Sequence, residues 1–91
     1  MLRYVIERDI AGIGGRSPEE YSAGAQRSKD ALDAIGTGIQ WVESFVTGDK
    51  IYCVYLADNE SLIHEHAERS GFPANRVEQV RTMMDPTTAT R

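Results

Sequence analysis

Cysteine is almost absent from this chain: Cys53 is the only one in 91 residues. A lone thiol cannot close an intramolecular disulfide, so the fold stands without a covalent staple and a reducing compartment is expected. No apolar run approaches the roughly 20 residues of a membrane span. The opening MLRYVIERD reaches acidic side chains too soon for a secretory signal. Positive charge is scarce and scattered, with 10 Lys and Arg against 14 Asp and Glu and a net charge of −4. Phosphate backbones need clustered cations, so no nucleic-acid partner is expected. These absences fit a cytoplasmic protein.

Familiar chemical motifs are missing too. There is no CxxC pair, no H-E-x-x-H zinc pattern and no Ser-His-Asp arrangement. The glycines Gly12, Gly14 and Gly15 lack the Gly-Lys-Ser/Thr ending of a phosphate cradle and read as a flexible connector.

What is present spells out one small domain, residues 1–86, followed by a polar tail, 87–91. Leu2–Asp9 alternates as a half-buried strand, with Leu2, Tyr4 and Ile6 on one side. Ser17, Pro18, Glu19 and Glu20 open a helix with a cap, a first-turn proline and two carboxylates at the positive dipole end. Its inner stripe is Tyr21, Ala25, Ser28, Leu32 and Ile35, mostly small, and Gly36 ends it. Ile39–Val46 reads as a strand with Trp41 and Phe45 on one face. The turn Thr47–Lys50 joins it to a strand at Ile51–Leu56. Asp58 or Asn59 caps a second helix, Gly71 and Pro73 stop it, and Val77–Met84 reads as the last strand.

Strand, helix, strand, strand, helix, strand is the order of the ferredoxin-like α+β sandwich, with both helices on one face of an antiparallel sheet. Ile51–Leu56 is apolar on both parities, Tyr52, Val54 and Leu56 against Ile51, Cys53 and Tyr55. Helices cover only one face, so the open face calls for a lid. A second copy related by a twofold axis is the economical one.

Helical spacing splits the charged helix between Asn59 and Gly71 into two candidate sites. His64 and Glu68 fall on the outer face with Glu60 one turn earlier, a set able to hold a divalent transition metal. His66 points inward, either as an interior hydrogen-bonded histidine or as the polar wall of a pocket with Cys53, Tyr52 and Trp41. Glu7 falls on the open face opposite Tyr4 and Ile6 and needs a cation, for which Arg3 and Arg81 are candidates.

Three segments also carry a family likeness: Tyr4-Val5-Ile6-Glu7-Arg8-Asp9, then Ile39–Val46 with Tyr52-Cys53-Val54-Tyr55, then His66–Val77. From Tyr4 to about Pro86 the chain resembles a bacterial domain-of-unknown-function family that includes a nickel-binding, nickel-responsive small protein. Glu7, Cys53, His66, Gly71 and Pro73 match the family's pattern. The resemblance implies a ferredoxin-like dimer with nickel(II), or another divalent metal, held at the dimer surface for sequestration or detoxification. Two functions are therefore in view. One is a metal-binding homodimer without catalysis. The other is a small-molecule-binding or enzymatic dimer, by fold analogy, with a cavity between the second helix and the sheet.

Overall fold

Tyr4, Ile6 and Arg8 share one face of the first strand, and the rest of the interior is assembled against them. The computed structural model describes residues 1–90; Arg91, the end of the expected tail, lies outside the described residues. The elements are β1 (Leu2–Asp9), a 3₁₀ turn (Ile13–Gly15), α1 (Pro18–Ile35), β2 (Ile39–Val46), β3 (Lys50–Ala57), α2 (Glu60–Ser70), β4 (Arg76–Gln79) and a 3₁₀ segment (Pro86–Thr90). The sheet is antiparallel in the order β2-β3-β1-β4, so each helical connection steps over one strand. This is the expected ferredoxin-like α+β fold. No helix among the described residues is long and apolar enough to cross a membrane.

The helix boundaries follow their local chemistry. Ser17 accepts the Glu20 N–H while the Glu20 carboxylate accepts the Ser17 N–H, a reciprocal capping box before α1. Asn59, one of the two expected caps, accepts the Leu62 N–H and opens α2. Gly71 closes α2 at φ 79°, a left-handed conformation that favours glycine. Ile6, Cys53, Tyr55, Ala57 and Ile63 form the heart of the core, with Leu32 and Ile35 of α1 packed onto it.

Three expectations change. In β2 the register slips between Trp41 and Glu43, leaving Val42 as the extra residue of a bulge. Trp41 then pairs with Tyr55 and Ser44 with Cys53, so both face the helices. Phe45 pairs with Tyr52 on the open face instead of sharing Trp41's side. The last strand is Arg76–Gln79, not Val77–Met84. Its register sets Tyr4 opposite Gln79, and β1 begins at Leu2, so a longer strand would run out of partner. Met83 and Met84 are accordingly exposed. Finally, the polar tail contains a 3₁₀ segment, Pro86–Thr90, before which Asp85 accepts the Thr87 N–H at 2.8 Å.

Two substitutions test these boundaries by urea unfolding. Ser17→Ala is expected to lower stability by about 1 kcal/mol through loss of the cap. Gly71→Ala is expected to cost roughly 1–2 kcal/mol because alanine resists positive φ. In both, the midpoint should fall with an unchanged slope.

Candidate functional site

The inner face of α1 is built from small side chains, and the sheet opposite it carries aromatic ones. Gly24, Ala25 and Ser28 leave a gap of about 390 Å³ above Trp41, Cys53 and Tyr55, with Phe72 also in its wall. The size suits a small organic molecule. The cavity therefore lies between α1 and the sheet, not between α2 and the sheet as the sequence suggested. Among the residues expected to line it, Trp41 and Cys53 do. Tyr52 lies on the open face, where Glu7 also sits as its parity required, and His66 sits behind Tyr55 without lining the cavity.

Arg8 is the unexpected member. It follows the parity of Tyr4 and Ile6, so its guanidinium enters the interior at 2% exposure. Nε donates to Cys53 Sγ at 3.4 Å, and Nη1 donates to the Pro73 carbonyl at 3.0 Å. The rings of Tyr55 and Phe72 lie 5.9 and 5.8 Å from its centre. Nη2 is buried without a partner. The β2 bulge completes a chain of polar contacts to the same sulfur: Trp41 Nε1 donates to Ser44 Oγ at 2.9 Å, and Ser44 Oγ donates to Cys53 Sγ at 3.0 Å.

A second polar chain runs behind the cavity. His66 Nε2 lies 3.0 Å from Ser28 Oγ and 3.3 Å from the Ser28 carbonyl oxygen. A carbonyl only accepts, so Nε2 carries the proton and Nδ1 keeps its lone pair, buried and unpartnered. Ser28 Oγ also lies 3.2 Å from the Tyr55 hydroxyl. Burial, and then the nearby Arg8 charge, push the His66 pKa down to about 4. Burial raises that of Tyr55, so both rings are neutral near pH 7. His66 is thus an interior hydrogen-bonded histidine that positions a cavity wall through Ser28 and Tyr55.

On the outer face of α2, His64 Nε2 meets Glu60 Oε2 at 3.0 Å, and both side chains are about half exposed. Glu68 is exposed, and among the described residues it forms no hydrogen bond or ion pair with either of them. Among the described residues, no three His, Cys, Asp or Glu side chains are grouped as a metal site would need. Glu7 finds its cations in Lys50 at 3.0 Å and Arg76 at 3.9 Å rather than in Arg3 or Arg81. The Glu7 hydrogen bond is also the main cause that raises the Lys50 pKa.

Three comparisons bear on these residues. The family model described as Nickel responsive protein SCO4226-like matches residues 4–80. The crystal structure of SCO4226 from Streptomyces coelicolor A3(2) aligns with a TM-score of 0.74 at 14% identity, covering 90% of this chain and 99% of that one. At that identity the likeness concerns the fold. No curated protein matches.

The state of His66 is testable through stability. The unfolded chain protonates this ring below its ordinary 6.5, whereas the folded chain holds it neutral down to about 4. Unfolding then takes up a proton between those values, so stability present above pH 6.5 is lost as pH falls through that window. The loss amounts to roughly 3 kcal/mol. Urea unfolding of His66→Phe should show a correspondingly flatter profile than the parent chain. A His66 ring proton that titrates near neutrality in NMR spectra would contradict this reading.

Proposed function

We propose, for a chain that belongs to the Nickel responsive protein SCO4226-like family, that it is a homodimer that binds a divalent metal, nickel preferred, for sequestration or detoxification rather than catalysis. The family match over residues 4–80 carries the proposal. His64 and Glu60 supply its local chemistry, an imidazole and a carboxylate within 3.0 Å of each other on an accessible helix face. Imidazole is a favourable ligand for nickel. Two donors do not complete a coordination sphere, so the remaining positions fall to Glu68, to water or to the second copy. The open sheet face supports the dimer. Val5, Tyr52, Val54 and Leu56 are half-buried there, and Phe45 is 54% exposed beside them.

Calorimetric titration of chelator-treated protein with nickel is expected to give saturable binding, weakened about tenfold or more in His64→Ala. Binding that never saturates, or that is unchanged in the variant, would overturn the metal assignment. Light scattering across a dilution series should report a dimer, and Val54→Glu should shift it to monomer by placing an unpaired charge in the interface. A parent chain that is monomeric at high concentration would remove the dimer.

A further inference from the structure

The interior of this acidic chain contains a cation with no counter-charge. No carboxylate among the described residues forms an ion pair with Arg8, and Nη2 has no partner of any kind. Burying a guanidinium this way is costly, and two carbonyls, a sulfur and two ring faces offset the cost only in part. The same residue lines the cavity beneath α1. We propose that this cavity binds a small apolar monocarboxylate, an aryl- or alkyl-carboxylic acid, whose carboxylate pairs with Arg8 and whose body lies between α1 and the sheet.

Three observations converge on that class. The first is the charge of the lining, which holds Arg8, Arg16 and Arg27 but only one carboxylate, Glu20. Glu20 is already engaged by Arg16 at 3.4 Å and by Ser17. Arg27 forms no ion pair among the described residues and stacks over Phe72 at 4.9 Å, leaving a second cation at the rim to attract an anion. The chain is acidic overall, yet this concavity has the opposite sign. The second observation is the wall. Trp41 and Tyr55 stand nearly parallel, 6.4 Å between ring centroids, with Tyr21, Ile51 and Phe72 around them. Such a surface gains from covering apolar groups.

The third observation is the number of donors, which separates a carboxylate from a phosphate. Arg8 has one free nitrogen, Nη2, because Nε and Nη1 already donate to Cys53 and Pro73, and that matches a singly charged carboxylate. A phosphate would leave most of its acceptor oxygens against aromatic rings, at the cost of unpaired buried polar groups. His66 is held neutral behind the wall and adds no charge to the site. The proposal is independent of metal binding, since neither His64 nor Glu60 lines the cavity.

The test uses chelator-treated protein, the fluorescence of Trp41 (the sole tryptophan) and calorimetry. The probes are 4-phenylbutanoate and decanoate, their amides, and inorganic phosphate. The acids are expected to bind saturably and shift Trp41 emission. The amides should bind roughly tenfold to a hundredfold more weakly, the worth of a charged hydrogen bond. Phosphate should not shift the emission. Arg8→Met is expected to fold, since methionine removes a buried unpaired charge, and to abolish the preference for acid over amide. Gly24→Leu provides a variant that leaves Arg8 intact. A Cβ at Gly24 already comes within 3.4 Å of Phe72 Cζ, so a leucine fills the gap and should abolish binding of the acids. Failure of both acids to bind, equal binding of acid and amide, preference for phosphate, or undiminished binding in Gly24→Leu would each overturn the proposal.

Discussion

The uninterrupted ladder between β1 and β3, from Leu2 opposite Ala57 to Asp9 opposite Lys50, is the constraint on which both faces of the sheet depend. Because side chains alternate strictly along a strand, this one register fixes the company of every neighbour. It puts Tyr4, Ile6 and Arg8 with Cys53 and Tyr55 under the helices. It also puts Val5 and Glu7 with Val54 and Tyr52 on the open side. A slip by one residue would bury Glu7 in the core and expose Arg8. The hydrophobic inner pairs exclude that slip, and Arg8 is carried inward as part of the same set.

Two basic groups share the interior as a result, and the charge of one bears on the other. His66 remains neutral because it is desolvated and because Arg8 is near. A neutral imidazole can be held by Ser28 without any carboxylate, and among the described residues no acidic side chain is buried to meet the arginine. The Arg8 charge is shared instead among carbonyl oxygens, a sulfur and ring faces. Serine at position 28 makes both arrangements possible. It is small enough to leave room beneath α1, and polar enough to bridge His66 and Tyr55.

The fold was legible in the sequence because its signals are local. The capping box at Ser17, the stop at Gly71 and the two-sided apolarity of β3 each depend on a few neighbouring residues. The inward direction of His66 followed from helical spacing and is borne out. Arg8 had an equally clear signal in the parity of Tyr4 and Ile6, but a charged residue at an inward position is easily assigned to the strand's end. The faces of β2 were not legible, since alternation carries no mark of an inserted residue. The bulge at Val42 is set by pairing with β3, far along the chain. The place of the cavity was hidden for a related reason: it depends on small residues of α1 facing large ones on two strands.

The bulge at Val42 has a further consequence for the edges of the sheet. β2 and β4 are the two edges of the sheet, where unpaired backbone groups invite edge-to-edge strand addition and aggregation. One edge is kinked at Val42, and the other is only four residues long, with Arg76 and Glu78 on it. Neither offers the long, flat row of free N–H and C=O groups on which another strand could grow. Open-ended stacking along the hydrogen-bond direction is thereby disfavoured at both edges.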